Sequence, residues 1–378
     1  MFKWDVIVVG AGPAGSSAAY GLARQGLRVL MLEKARIPRY KPCGGGLSLK
    51  VRSALDYDFS SAVQDTIRQV SIAYGRERIR IESAEAYCVM RADFDALLAA
   101  QAVRAGAELR DACPVDGITL ENDRAGVSAG GERLDAALLI GADGVNGGVR
   151  RAAGFPPHHR MGVAIEAELQ VPSAALAEWR SVLHMDYGAL SWGYGWIFPK
   201  ADHLSVGVGA LIRPGHKLDL QRELARYLSS EPSLSGAKPI LTRGHRVPLG
   251  GQFAIYHRPH ALLVGDAAGL ADPFTAEGIY FAIRSGQIAA QEIGRARQRG
   301  DNDLSPYSRR INSEINADFR FGWWLTQVFY RMPRFSFRVF AHSASTQDGA
   351  KQLANGTLTY KRLLLRVAGN SLPSLVPR

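Results

Sequence analysis

Cysteine is scarce in this chain: Cys43, Cys88 and Cys113 are the only three in 378 residues. Three, an odd count, are too few for a disulfide-stapled scaffold, and the spacings do not match a metal-ligand pattern. Three thiols cannot hold a four-thiolate iron–sulfur cluster, and no metal site is expected. Long hydrophobic runs are also missing. Without a stretch of about 18 uncharged apolar residues, no transmembrane helix is expected. There is no internal repeat and no low-complexity segment. An apolar strand begins almost at once, so we expect no signal peptide and a cytoplasmic protein. Acidic residues are the minority, 35 against 46 Lys and Arg, which leaves a net charge of +11. That balance suits anionic lipid, nucleic acid or a diphosphate-bearing substrate, and equally an ordinary basic surface. Nucleic acid is not expected as a partner, because the basic residues are dispersed and no recognition fold is evident. The hydrophobic content, 47%, is ample for a core, and the length suits two or three structural units.

From Asp5 to Glu33 the chain reads DVIVVGAGPAGSSAAYGLARQGLRVLMLE. Val6 to Val9 suit a strand buried on both faces. Gly10 permits a tight turn, Gly12 lets a pyrophosphate approach the backbone, and Gly15 lets a helix pack on the strand. The helix start then offers free N–H groups to phosphate. Arg28 to Leu32 form the next strand, and Glu33 stands where a carboxylate accepts hydrogen bonds from a ribose. The order of strand, glycine turn, helix, strand and acid predicts dinucleotide binding.

Two further buried strands, Leu138–Asp143 and Ala261–Asp266, each empty into a glycine turn. Met90 to Ala105 reads as a helix with Phe94, Leu97, Leu98 and Val103 on one side and Gly106 as its stop. From Val51 to Ile81 the pattern is less regular and ends in alternation. Residues 161–211 hold several β-like stretches, and Ile279 to Arg295 is helical in pattern. These segments predict an α/β protein with a discontinuous Rossmann-like nucleotide domain, an inserted antiparallel β-sheet substrate domain and a helical C-terminal extension. The expected boundaries are 1–50, 85–155 and 255–300 for the first, 51–84 and 156–254 for the second, and 301–378 for the third.

Three motifs specify the dinucleotide: Gly141-Ala142-Asp143-Gly144, Gly265-Asp266-Ala267-Ala268-Gly269 running into Asp272 to Ile279, and Arg91-Ala92-Asp93-Phe94-Asp95 at a helix start. With the N-terminal fingerprint they resemble the FAD-dependent family that includes aromatic hydroxylases and geranylgeranyl reductases, over roughly residues 4 to 295. The resemblance implies FAD, held by Gly10, Gly12, Pro13, Ala14, Gly15, Glu33 and Lys34, with Asp143 and Gly265 in the later turns. It implies that Arg91 approaches the cofactor phosphates and Asp266 the ribityl chain or pyrophosphate. The turn from Pro273 through Gly278 to Ile279 is expected to set N–H groups near the flavin pyrimidine edge, where they favour the anionic reduced flavin.

Two more motifs resemble the geranylgeranyl reductase branch: the loop Lys41-Pro42-Cys43-Gly44-Gly45-Gly46, and Tyr194-Gly195-Trp196-Ile197-Phe198-Pro199 followed by Gly207-Val208-Gly209. In a strand Tyr194, Trp196 and Phe198 share one face, an apolar wall for a polyprenyl chain or simply the core face of a sheet. With Pro199 and Gly207 they form the expected substrate surface. Cys43, Gly44 and Gly45 are expected near the cofactor. The resemblance implies reduction of isolated prenyl double bonds by reduced FAD, which couples hydride delivery to protonation of the other carbon. Cys43 is the leading proton donor or alkene-positioning group, with an ordinary buried cysteine as the other reading, and Tyr194 is the second candidate. Lone His245 and His257 are expected to be structural.

The external reductant is expected to be NAD(P)H or reduced ferredoxin, the substrate a prenylated small molecule or lipid, and the protein a monomer. Between Phe319 and Phe340, nine aromatic residues interleave with Arg320, Arg331, Arg334 and Arg338, and Lys361, Arg362 and Arg366 follow. Such a mixture suits contact with an anionic membrane surface, a tunnel mouth or packing on the flavin domain. Two rival functions stand beside the reductase: a flavin monooxygenase or halogenase, and a non-catalytic prenyl-lipid or quinone binding flavoprotein. Trp196-Ile197-Phe198-Pro199 faintly resembles the halogenase Trp-x-Trp-x-Ile-Pro, with Tyr194 in place of the first tryptophan; the KPCGGG loop argues against it. Gly46 stands where chlorophyll-type reductases are expected to carry alanine, which makes pigment-specific activity a less favoured expectation.

Overall fold

The computed structural model describes residues 2–121 and 123–371. Its contacts divide the chain into two units, Met1–Lys41 with Arg91–Arg160 and Val247–Ala317, and Pro42–Met90 with Met161–Arg246 and Asp318–Arg378.

The first unit is built on a sheet whose main path is parallel. Strand Trp4–Val9 lies between Val29–Leu32 and Glu132–Gly141, with Val6 in register with both Val29 and Leu138. Glu108–Arg110 extends one side and Ala261–Leu263 the other. The buried runs near residues 5, 138 and 261 therefore belong to one sheet, as their lack of alternation predicts for strands covered on both faces. Ile7, Val8, Leu30, Met31, Leu139 and Ile140 are buried, each contributing about 1.5–3 kcal/mol over an exposed position. The hairpin Val115–Leu120 and Ala125–Ala129 adds antiparallel strands to Glu132–Gly141. Helix Arg91–Arg104 buries Phe94, Leu98 and Ala102, a four-residue repeat. Val103 is 44% exposed, contrary to the face expected for it, because position 102 rather than 103 continues that repeat. Gly106, at φ +110°, follows the helix.

Helix Pro13–Ala23 packs against helix Ile279–Arg299 through small residues. A Cβ on Gly21 would lie 2.7 Å from the Ala290 Cβ, and one on Gly286 would lie 2.3 Å from the Ala14 carbonyl oxygen. The two backbones approach because neither presents a large side chain at the crossing.

The second unit is an eight-stranded sheet in the order Lys238–Pro248, Met161–Gln170, Leu204–Leu211, Gly193–Pro199, Val182–Asp186, Val63–Tyr74, Glu77–Val89 and Gly46–Leu47. The registered pairs are antiparallel except Val182–Asp186 with Val63–Tyr74. On one face Ile165, Ala167, Ile197, Val206 and Val208 join Trp179 of helix Ser173–Trp179 and Leu224 and Tyr227 of helix Leu220–Ser230 in a buried cluster. Helices Ala317–Arg331, Pro333–Ala341, Ala344–Ala354 and Tyr360–Ser371 end the described chain.

The contact grouping corrects the expected boundaries. Residue 85 lies inside the continuous strand Glu77–Val89, so a division there would cut a hydrogen-bonded ladder. Pro42–Lys50 belongs to the second unit because Gly46–Leu47 pairs with Tyr87 and Cys88. The C-terminal helices are not a third unit: residues 301–317 group with the first and 318–378 with the second. The irregular stretch after Val51 resolves into the hairpin Val63–Tyr74 and Glu77–Val89, whose register shifts blur its alternation.

Gly286→Ala adds a methyl group against the Ala14 carbonyl. It is expected to cost about 1–3 kcal/mol, read as a lower urea midpoint at unchanged slope.

Candidate active site

In the first unit the fingerprint loop is held by backbone contact. Gly10 adopts φ +104°, and a Cβ there would stand 2.3 Å from the Ala142 carbonyl oxygen. A Cβ on Gly15 would meet the Gly10 carbonyl oxygen at 1.9 Å. Only glycine lets the loop, the helix start and the Gly141–Asp143 turn converge. Gly12 differs: the one atom near its absent Cβ is a guanidinium nitrogen of Arg39, at 3.5 Å. The helix starting at Pro13 has no side-chain cap and no acid in its first turn, so its first N–H groups suit an anion.

The buried Glu33 carboxylate accepts hydrogen bonds from Ala11 N–H at 3.0 Å and Ala35 N–H at 3.1 Å. Two carboxylate oxygens accept more than two hydrogen bonds, so lone pairs remain for hydroxyl donors such as those of a ribose. Lys34 beside it is exposed. Asp95, which is fully buried, binds two arginines: Arg39 Nη1 at 3.1 Å, and Arg91 through Nε and Nη2 at 2.8 and 2.9 Å. Arg91 thus points into an Arg39–Asp95–Arg91 network, and Arg39 leads from it to the fingerprint loop.

The other two turns meet this loop differently. Asp143 Oδ2 accepts from Val149 N–H at 2.9 Å, and burial raises the pKa of its carboxyl against the pull of that bond. A Cβ on Gly265 would lie 2.8 Å from the Ala14 Cβ, which brings the second glycine motif to the fingerprint helix. Asp266 Oδ1 lies beside Gly278, 3.6 Å from where its Cβ would be. Asp272 organises the following turn by accepting from Phe274 and Thr275 N–H, both at 2.8 Å. Helix Ile279–Arg299 then starts at Gly278, again with no side-chain cap. His158 stands close to Gly269, and burial pushes its pKa down to about 4, so the ring is neutral. His257 bonds Ser308 Oγ at 2.7 Å, a structural role.

In the second unit Tyr194, Trp196 and Phe198 do share a face, with ring centroids 6.2 and 6.4 Å apart in succession. It is the face opposite Ile197 and the buried cluster. Trp196 lies across Gly207, its registered neighbour, where a Cβ would stand 2.2 Å from the indole ring. Gly207 thereby gives the indole its bed. Pro199 is buried at the strand end. The row continues past Tyr194 to Tyr187 at 5.6 Å and from there to Phe329 at 5.0 Å. Trp196 Nε1 and Ser205 Oγ are buried on this face without a hydrogen-bond partner among the described residues.

The glycine-rich loop lies on this wall. A Cβ on Gly44 would be 2.6 Å from the Phe198 ring, and one on Gly46 would be 3.0 Å from it. Cys43 N–H donates to Glu166 Oε1 at 2.7 Å, and Gly45 N–H donates to Cys43 Sγ at 3.4 Å. The fully buried Lys200 donates from Nζ to the Gly44 carbonyl at 2.6 Å and the Val89 carbonyl at 3.1 Å. Glu166 pairs in register with Gly207, so it stands on the same face as the wall. Cys88, next to this loop, is inert: burial pushes its thiol up to about 12.

The structure therefore assembles two sets of the expected residues. Gly10, Gly12, Pro13, Ala14, Gly15, Glu33, Arg91, Asp143, Gly265, Asp266, Gly278 and Ile279 lie in the first unit, and Cys43, Gly44, Gly45, Tyr194, Trp196, Phe198, Pro199 and Gly207 in the second. Sequence reading missed Arg39, Asp95, Glu166, Lys200 and Tyr187. A signal existed for Asp95, four residues after Arg91 in a helix. Lys200 directly follows the aromatic motif. Nothing in the sequence singles out Glu166, whose role is set by the register of two strands.

The FAD binding domain family model matches residues 3–310. An uncharacterized protein of Methanosarcina barkeri is 33% identical, over 90% of this chain and 87% of its own. The digeranylgeranylglycerophospholipid reductase of Thermoplasma acidophilum is 33% identical, over 81% of each chain. Among solved structures, a geranylgeranyl bacteriochlorophyll reductase-like protein from Thermoplasma acidophilum has a TM-score of 0.80 at 26% identity, covering 98% of this chain and 96% of that one. A flavin-dependent brominase, with a TM-score of 0.75 at 19% identity, shares the fold. The first unit fits FAD on its own evidence: two helix starts with no side-chain cap, an open Gly12 under a guanidinium, and a buried carboxylate with lone pairs to spare.

Asp95→Ala leaves two arginines without their shared partner. It is expected to cost about 3–5 kcal/mol in urea unfolding and to weaken FAD retention at least tenfold, read by flavin absorbance after dialysis. Lys200→Met removes both hydrogen bonds to the loop and its neighbour. Alkylation of Cys43 is expected to speed up at least tenfold, while Cys88, whose thiol is buried and raised well above its ordinary pKa, stays unlabelled in the native wild-type protein.

Proposed function

Because this chain belongs to the geranylgeranyl reductase family of FAD-dependent oxidoreductases, we propose that it saturates C=C bonds of a polyprenyl, geranylgeranyl-type group. The observation that carries the reading is the wall of Tyr194, Trp196 and Phe198 with the Cys43 loop laid across it. A prenyl chain offers only dispersion and hydrophobic contact, and large rings answer that with area and few polar atoms.

Reduced FAD, when bound, supplies the hydride. An isolated alkene accepts it only if the other carbon receives a proton, and supplying that proton is the chain's own task. Cys43 Sγ is the proposed donor. The Gly45 N–H, which donates to this sulfur at 3.4 Å, helps hold its direction. Glu166 and Lys200 fix the loop, so the sulfur does not wander from the wall. Apolar rings under the loop exclude water that would otherwise compete for the site. Tyr194 lies further along the row and serves to extend it toward Tyr187 and Phe329.

Relatives named geranylgeranyl diphosphate reductase and digeranylgeranylglycerophospholipid reductase support a diphosphate or a glycerophospholipid as the carrier of the prenyl group. NAD(P)H or reduced ferredoxin is the proposed electron source.

The deciding measurement is mass spectrometry of geranylgeranyl diphosphate and a geranylgeranylated glycerophospholipid after incubation with anaerobically reduced protein. The expected product gains two hydrogens per reduced bond, and Cys43→Ala lowers turnover by about 10²–10⁴ with FAD content unchanged. Unchanged substrate mass, together with oxygen-dependent NADH consumption and a hydroxylated or halogenated product, would replace this reading by the monooxygenase or halogenase one. Unchanged mass with every donor and no oxygen-linked product would leave a prenyl-binding flavoprotein.

A further inference from the structure

We propose that the outward faces of helices Ala317–Arg331 and Pro333–Ala341 form a docking surface for an anionic lipid bilayer. Of the nine aromatic residues of this region four are buried, Phe321, Trp324 and Phe335 are exposed, and Trp323 and Phe340 are half-buried. Phe319, Phe329, Tyr330 and Phe337 are buried, and with Gly322 and Thr326 they make the inward faces. Arg320, Phe321, Trp324 and Arg331 recur at helical spacing on the outward face of the first helix; Arg334, Phe335, Arg338 and Val339 do so on the second, with Met332 between them. Trp324 is 55% exposed, Met332 52% and Phe335 63%.

An ordinary surface helix pairs an apolar inner face with a mixed-charge outer one. Here the outer faces carry large apolar side chains and arginine. From Phe319 to Gln347 there are four arginines and no Asp or Glu, and residues 318–378 hold nine Lys and Arg against Asp318 and Asp348. Arg338 reaches Glu77 at 3.3 Å in an exposed pair, while Arg320 and Arg334 have no ion-pair partner among the described residues. Rings and a methionine at the acyl boundary, with guanidinium groups reaching the headgroups, are what an interfacial helix presents. Among the described residues no helix is long and apolar enough to cross a membrane, so the contact is peripheral. A second copy related by a two-fold axis would set these arginine-bearing helix faces, which carry no Asp or Glu of their own, against themselves, which disfavours that occupant. Bases of a nucleic acid would stack on the rings but have no use for Met332 and Val339. The proposal stands on these faces and does not require the reductase reading.

The test is flotation of the full chain, FAD bound, with vesicles of phosphatidylcholine alone and of equal parts phosphatidylcholine and phosphatidylglycerol. Binding is expected to be at least tenfold tighter to the anionic vesicles and to weaken as salt rises. Each arginine near such a surface is worth about fivefold, so Arg320→Glu with Arg334→Glu, neither of them ion-paired among the described residues, is expected to lower binding more than tenfold. Trp324→Glu with Phe335→Glu is expected to abolish it. Both variants alter exposed side chains, so FAD content and melting temperature are expected to be unchanged. Absence of vesicle binding, or binding that ignores both variants, overturns the proposal. So does oligonucleotide binding or self-association that the same variants remove while vesicle binding is absent.

Discussion

The indole of Trp196 lies across the neighbouring strand only because Gly207 has no side chain there, and the candidate substrate face follows from that contact. Any larger residue at 207 would push the ring off its bed. The flat wall that results is then close enough to the loop that Gly44 and Gly46 must also lack side chains against Phe198. Five residues from three segments thus constrain one another, and the loop's position fixes the backbone that carries Cys43. The same logic governs the first unit, where Gly10, Gly15 and Gly265 let three turns meet at one helix start.

Removal of side chains brings backbones together, but buried charge and hydrogen bonding hold them in register. Asp95 ties Arg39 to Arg91, Glu33 ties the first glycine turn to the chain beyond the second strand, and Lys200 ties Gly44 to Val89. Each is costly to bury and therefore strongly dependent on its partners. These groups lie next to the expected site residues rather than among them, where they orient without contacting a reacting atom.

Much of the fold was legible in the chain. Buried strands announce themselves as unbroken apolar runs, and the runs near 5, 138 and 261 do pair in one sheet. The aromatic stripe was readable because a strand's period of two is local. Other features were not local. The exposed Val103 and the buried Ala102 differ by one position in a helix whose orientation is fixed by packing. The hairpin Val63–Val89 carries register shifts that scramble its alternation, and the unit boundaries follow strand pairing that composition does not encode. Aromatics between 319 and 340 read as one group but differ in burial, from buried Phe319 to exposed Trp324, because helix geometry turns successive positions to different faces.

By itself the sequence determined the nucleotide fingerprint, the order of the motifs, the family and the residue types available for prenyl chemistry, since each depends on spacing within a few turns of chain. Tertiary structure decided that Glu166 bonds the Cys43 backbone, that Lys200 pins the loop, and which aromatics are core and which face outward. Those outcomes depend on strands and helices far apart in sequence meeting at atomic distance, and a one-residue change of register would reverse every face involved.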